Sequence, residues 1–282
     1  LALVLLVFVS SRMILRSLPG DPLETLIAET GTSLPREMLR RQLGLDLPFW
    51  QSLLHDLRTG LGRSITSGEP VLPTLVSRLL STLKLSSLAL LVSMSISVPV
   101  ALLTARYREQ HPAARAGRLG SRLALILPAA WTGPLLLHFF GVTLPWIDAQ
   151  RSLLLACLTL AIPLTGGWVR LLDLRIREES REPYFRTALG KGLSTPQALL
   201  KHALAPGAGA LLATLGTQWG ALLGGTFIVE SIFDLQGLGT TWIRAVLQRD
   251  YPMVEGATFF GAGACLIGVA AGDLLQSWWD PR

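Results

Sequence analysis

Charge is scarce in this chain. Of its 282 residues, 16% are Asp, Glu, Lys or Arg, where a soluble domain carries about 25%. Cysteine occurs twice, as Cys157 and Cys265, with no CxxC pair, which excludes a disulfide framework and the common zinc and redox motifs. A phosphate cradle is missing too. The Walker A pattern GxxxxGK[ST] needs backbone amides and a lysine around the phosphates. The only Gly-Lys pair, Gly190-Lys191, has Phe185 at the first glycine position and Gly192 at the hydroxyl position. Gly261 and Gly263 begin a dinucleotide fingerprint, but Leu266 stands at the third glycine. No HExxH and no paired Ser/His or Asp/Asp set occurs at one depth of the apolar runs, so an intramembrane hydrolase has nothing to work with. The expectation is therefore a non-enzymatic chain with no catalytic residue, no metal site and no cofactor of its own.

What is present is apolar. Hydrophobic residues make up 50% of the chain and mean hydropathy is +0.47. They fall in charge-free blocks of membrane length, since about 20 residues at 1.5 Å each cross a hydrocarbon core about 30 Å thick. The blocks are Leu85 to Ala105, Leu123 to Ile147, Ser152 to Val169, Gly207 to Val229, and Gly256 to Gly272 continuing to Trp279. Leu1 to Ser11 reads as the end of a further span whose N-terminal part is missing; a secretory signal fits less well, because no small-residue cleavage site follows. The fold expected is an all-α membrane protein of six transmembrane helices, the first N-terminally truncated. Residues 1–16 end helix 1, 17–78 form an outer, periplasmic helical segment, and 79–282 form a five-helix core.

The formal charge of +6 and pI near 10 need no nucleic acid to explain them, because arginine-rich inner loops give the same balance. Arg106, Arg108, Arg115, Arg118 and Arg122 lie in one loop; Arg170, Arg175, Arg177, Arg181, Arg186, Lys191 and Lys201 lie in another. Both are expected on the cytoplasmic side, with both termini. Ionisable groups within the spans are few. Lys84 and Asp273 lie near span ends, and His138 reads as a hydrogen-bonded packing residue before a metal ligand. The four histidines fall on different sides and form no cluster.

In the outer segment, Pro19-Gly20-Asp21-Pro22 signals a turn. Ser33, Pro35 and Glu37 open a short helix that Gly44 stops. A second helix runs from Pro48 to Thr59, ends at Gly60, and carries Phe49 and Trp50 on a face expected to rest on the membrane surface or on neighbouring helices. In span five, Gly216, Gly220 and Gly224 recur every four residues, the small-xxx-small spacing that brings helices close. They read either as an interface with a second membrane chain or as packing within this chain. Gln218, between them, is a candidate pathway contact.

The loop 178–206, between helices 4 and 5, holds the densest local signals. Pro183 opens a short helix, Gly190 and Gly192 stop it, and Ser194 or Thr195 caps a second with Pro196 at its first position. Pro206 is expected to separate that helix from the next span. Ala198, Leu199 and Ala203 face either the bundle or a groove in a partner; on physical features alone a solvated surface loop remains an equal reading.

Arg186-Thr187-Ala188, Gly192, Ser194, Pro196, His202 and Leu204 resemble the EAA loop of bacterial ABC-importer permeases, and this resemblance favours the first reading. It implies a coupling helix docking on an ATP-hydrolysing subunit. More of the chain is similar to the dipeptide/oligopeptide/nickel permease branch in its first-permease form: Leu18 to Pro22, Gln42 to Asp46 with Pro48, Gly60 to Ser64 with Pro70-Val71, Gly224 to Glu230, Gly237 to Gly239, Arg249 to Pro252, and Asp280-Pro281. The loop departs from the consensus, keeping only Ala188 of its opening acid and two alanines. The segment from Pro145 to Arg151 is short for the branch.

The resemblance implies a pore-forming inner-membrane subunit taking up short peptides, or nickel or a metal chelate. Its expected partners are a second homologous permease, two ATPase subunits that bind ATP and Mg, a periplasmic substrate-binding protein and the lipid bilayer. An ion-coupled secondary transporter is the alternative. It calls for buried carboxylates arranged in repeat halves, which the spans do not show, although Pro99, Pro128, Pro134 and Pro163 interrupt them.

Overall fold

A backbone in hydrocarbon must satisfy its own hydrogen bonds, and a long apolar run does so as a helix. In the computed structural model, which describes residues 2–17, 27, 37–38, 47–107, 110–144, 148 and 150–279, helices are the only regular elements. Among those residues the sole β-type pairing is one isolated bridge, Arg63 with Pro70. The helices are α1 (Ala2–Ser17), α2 (Phe49–Arg58), α3 (Val71–Arg106), α4 (Pro112–Ile126), α5 (Ala129–His138) running into a π-helical turn (Phe139–Thr143), α6 (Leu153–Glu179), α7 (Pro183–Gly190), α8 (Thr195–Ala198), a second π turn (Leu199–Ala203), α9 (Leu204–Ile232), α10 (Leu238–Leu247) and α11 (Tyr251–Trp279). The turn at Pro19–Pro22, the helix from Ser33 to Gly44, the Gln42–Asp46 motif and Asp280-Pro281 lie outside the described residues, apart from isolated positions.

Among the described residues, four helical stretches are long and apolar enough to cross a membrane: α3, α6, the continuous run Thr195–Ile232, and α11. A fifth arises if α4 and α5, bent by 105° at their junction, count as one span. One of the expected spans is not a single helix. Helix α1, with 16 residues, covers the stretch expected to end a shortened first span. The apolar run from Leu123 to Ile147 is broken, because Pro128 restricts the residue before it: Leu127 is extended, with φ −75° and ψ 113°. Pro99, Pro134 and Pro163 lie inside α3, α5 and α6 without ending them. Helices also run well past the apolar blocks. Arg170 to Glu179, assigned to a loop, completes α6, and a short helix, α10, stands between the last two apolar blocks.

The chain divides into two units, residues 1–83 with 236–264, and residues 84–235 with 265–282. In the first, Phe8, Val71, Leu75 and Leu238 are almost completely buried, and Phe8 meets Phe259 edge-on at 5.5 Å. Arg12 is buried as well. Its guanidinium sits 2.6 Å from Asp56 and 3.2 Å from Glu255, the paired carboxylates a desolvated cation requires. A second buried charge, Asp250, accepts hydrogen bonds from the Ser64 hydroxyl, the Ile65 N–H at 3.1 Å and the Thr66 hydroxyl at 3.0 Å. The motifs Gly60–Ser64 and Arg249–Pro252, far apart in sequence, are thus one substructure. On α2, Trp50 is exposed, while the half-buried Phe49 lies under Arg16 at 5.4 Å.

The second unit packs α3, α4, α5, α6 and α9 around Leu85, Ala89, Leu155, Leu172, Ile176 and Val229. Arg118 and Arg177 both donate to the Thr104 carbonyl near the end of α3, at 3.0 and 2.8 Å. Asp173 pairs with Arg177 at 3.0 Å and with Arg118 at 3.8 Å. These two arginines therefore have a packing role beside any topogenic one. Arg151 and Asp234 form an exposed ion pair at 3.0 Å.

Replacing Asp250 with Ala leaves the Ser64, Ile65 and Thr66 donors unpaired. Hydrogen bonds to a charged acceptor contribute about 1.5–3 kcal/mol each, so the detergent-solubilised protein is expected to lose stability on that order and to become protease-sensitive within 60–69. Asp250→Asn, which keeps an acceptor oxygen, should do less damage. An unchanged melting midpoint for Asp250→Ala would contradict the assignment.

Candidate functional site

The loop 178–206 folds as the local signals predict up to its last step. Pro183 is the first residue of α7, where a missing N–H costs nothing. The helix ends in a Schellman turn: the Leu193 N–H reaches the Ala188 carbonyl at 3.3 Å and the Gly192 N–H reaches Leu189 at 3.0 Å. Gly192 carries the required left-handed conformation, φ +91°. Ser194 then precedes α8, and the Gln197 side-chain oxygen accepts from the Ser194 N–H at 3.1 Å and from its hydroxyl at 2.9 Å.

Pro206 does not separate this helix from the next span. The chain stays helical from Thr195 to Ile232, with the π turn at Leu199–Ala203 between α8 and α9. Pro206 sits in the first turn of α9, where the wider turn just before it leaves the ring room.

Burial divides the loop in two. Phe185, Ala188, Ala198, Leu199 and Ala203 are all 5% exposed or less and belong to the chain's own core. The choice left open by the sequence is settled for these residues: Ala198, Leu199 and Ala203 face the bundle. Arg186, Thr187, Gly192, Ser194 and Pro196 are exposed, His202 and Leu204 half-buried. Lys191, Leu200 and Lys201 are exposed beside them. The outer face is thus basic and partly apolar, mounted on a buried inner face.

Tyr184 fastens the start of α7 by donating its hydroxyl to Glu179. Burial, that hydrogen bond and the negative charges of Glu179 and Glu182 push its pKa up to about 12. The tyrosine therefore stays protonated at neutral pH. Because the folded value lies above the usual one near 10, this contribution is intact below pH 10 and is lost as pH rises through 12.

The glycines of α9 divide as well. A Cβ on Gly216 would lie 2.8 Å from the Gly268 carbonyl oxygen and 2.9 Å from Gly272, and one on Gly220 would lie 2.8 Å from the Cys265 sulfur. Both serve close packing within this chain against α11. Gly224 faces open space, with nothing within 4 Å of a Cβ. Gln218 lines a cavity of about 420 Å³ between α4, α5, α6 and α9, together with Trp168 and Thr214. His138 is exposed and makes no hydrogen bond among the described residues, so the packing role expected for it is not met. The sequence missed Arg12, Asp56 and Glu255, whose partners are far away in the chain, and Trp168, an ordinary span residue by composition; it marked Asp250 only as part of the Arg249–Pro252 motif, without its partners.

With the geometry in view, comparison with known proteins is decisive. Residues 97–282 match the family described as the inner membrane component of binding-protein-dependent transport systems. The chain belongs to this family. It is similar to the glutathione transport system permease protein GsiC of Salmonella paratyphi A, 31% identical over 264 residues, covering 89% of this chain and 85% of that one. The corresponding protein of Escherichia coli O6:H1 is 31% identical over 250 residues, covering 84% and 80%. A Sinorhizobium fredii protein named "Probable peptide ABC transporter permease protein y4tP" is 29% identical over 287 residues, covering 96% and 91%. Among solved structures, an amino acid ABC transporter with histidines superposes with a TM-score of 0.57 over 74% of this chain and 94% of its own, at 17% identity; it supports the fold. The chain is a multi-pass inner-membrane permease component of a binding-protein-dependent ABC importer and not itself an enzyme. Family membership sets aside the secondary transporter.

The glycine contacts generate a contrast. Gly216→Val forces α9 off α11, with an overpacking cost of about 1–3 kcal/mol, and is expected to cut the yield of folded protein. Gly224→Ala should be tolerated. Equal yields of the two variants from membranes would contradict the packing assignment.

Proposed function

We propose that this permease imports short peptides, working with a second homologous permease, two ATPase subunits that bind ATP and Mg, and a periplasmic binding protein that delivers the solute. The exposed face of α7, the Gly192 turn and α8 is the dock for an ATPase subunit. The observation that carries this reading is the division of the loop: Arg186, Thr187, Ser194 and Pro196 lie outward, while Phe185, Ala188, Ala198 and Leu199 are held in the core. A partner gripping the outer face works on a rigid support.

The helix from Thr195 runs on into α9, so displacement of the dock moves a membrane helix directly. An ATPase that holds the loop differently in its two nucleotide states would shift the population of permease conformations by that difference in affinity. In this arrangement the loop and both termini face the cytoplasm. Relatives named for glutathione and peptide transport favour peptides over nickel or a metal chelate as cargo, and glutathione is the first substrate to assay.

Gly192→Val tests the coupling. A β-branched residue at a left-handed position costs about 1–2 kcal/mol and distorts the turn between α7 and α8, while nothing within 4 Å opposes the side chain itself. In proteoliposomes holding the whole importer, ATP hydrolysis should persist while glutathione uptake falls by about tenfold, a difference of ~1.4 kcal/mol. Undiminished uptake per ATP hydrolysed would overturn the coupling role. Wild-type vesicles that import neither glutathione nor any dipeptide would overturn the substrate.

A further inference from the structure

The cavity between α4, α5, α6 and α9 has a lining that the coupling account does not use. It measures about 420 Å³, within the range of small-molecule sites, and carries no charged residue. Its walls are chiefly aliphatic, with Leu160 and Leu164 from α6 and Gly225 from α9. Three polar groups interrupt them. Trp168 is 3% exposed, and its indole N–H has no acceptor among the described residues, an arrangement costly to leave unmade in a dry interior. Thr214 already donates its hydroxyl proton to the Leu211 carbonyl at 2.9 Å, so only its lone pairs remain. Gln218 makes no hydrogen bond among the described residues, and its carboxamide both donates and accepts.

One free donor, one free acceptor and one group able to do both are the complement of a peptide unit, whose carbonyl accepts and whose N–H donates. The aliphatic walls suit an uncharged side chain next to it. We propose that this cavity is a transit site that holds one main-chain amide and one apolar side chain of the travelling peptide, through Trp168, Gln218 and Thr214. Charged peptide termini find no counter-ion in the lining and must lie outside it. The cavity then favours peptides with an apolar residue, and selection does not rest with the binding protein alone. This inference rests on the peptide-importer reading above.

The test uses the assembled importer with its binding protein in lipid vesicles and two probes, Leu-Leu and Gly-Gly. Trp168→Phe keeps the ring and removes the donor; Gln218→Leu removes both functions of the amide. Each is expected to raise KM for Leu-Leu by about tenfold, the equivalent of ~1.4 kcal/mol. Gly225→Leu fills the space, since nothing lies within 4 Å of a Cβ there; it should block Leu-Leu while sparing Gly-Gly. Should Trp168→Phe fail to assemble with its partners, the Gly225→Leu comparison decides.

Unchanged KM in assembled Trp168→Phe and Gln218→Leu overturns the inference, as does equal loss of both dipeptides in Gly225→Leu. A lipid acyl chain retained in the cavity during wild-type turnover, seen by mass spectrometry of the purified complex, overturns it too. Failure of the wild type to import glutathione or any dipeptide brings down the peptide reading and this inference together; import of glutathione without Leu-Leu brings down the inference alone. Wild-type import with indifferent variants brings down the inference alone.

Discussion

The second unit depends on how the 178–206 loop is seated. Phe185, Ala188, Ala198, Leu199 and Ala203 are buried in the same core as Leu172 and Ile176 of α6 and Val229 of α9. That burial fixes the direction of the exposed residues between them. The turn at Gly192 sets the angle between α7 and α8, and no other residue type takes φ +91° as cheaply. Without the buried anchors the same residues would form a solvated loop with no mechanical connection to the spans. With them, the loop is the cap of a helix 38 residues long, Thr195 to Ile232.

The π turn at Leu199–Ala203 belongs to the same arrangement. Pro206 removes a donor from the next turn, and the widened helix ahead of it keeps the chain continuous where a break was expected. Such turns often occur at functional positions in helices. Here the turn lies between the exposed α8 and the span whose Gly216 and Gly220 pack on α11 and whose Thr214 and Gln218 line the cavity. Exposed loop face, packing stripe and cavity wall are carried by one helical run.

Much of this was legible in the sequence because it is local. Pro183, Gly192 and Pro196 report helix ends through the dihedral angles and donors of single residues, and the structure places them accordingly. The apolar blocks marked the long helices for the same reason, since hydropathy sums over neighbours. What was not legible is directional or distant. Hydropathy cannot see that Leu127 turns before Pro128, because a bend leaves composition unchanged; Pro99, Pro134 and Pro163 look equivalent in sequence and leave their helices whole. The Arg12–Asp56–Glu255 cluster and the Asp250 anchor join residues about 44 to 243 positions apart, beyond any local window. Trp168 became notable only when its N–H proved to have no acceptor among the described residues.

The central claim is that the exposed face of α7, the Gly192 turn and α8 contacts the ATPase directly. Cysteine cross-linking tests it most simply. With Cys157 and Cys265 replaced by serine, Thr187→Cys places one thiol on that face in the native membrane. A short thiol-to-lysine cross-linker is expected to join it to an ATPase subunit, with a yield that changes between nucleotide-free and ATP-trapped states. A thiol freely labelled by a soluble maleimide in the assembled importer, and never cross-linked in either state, would contradict the account.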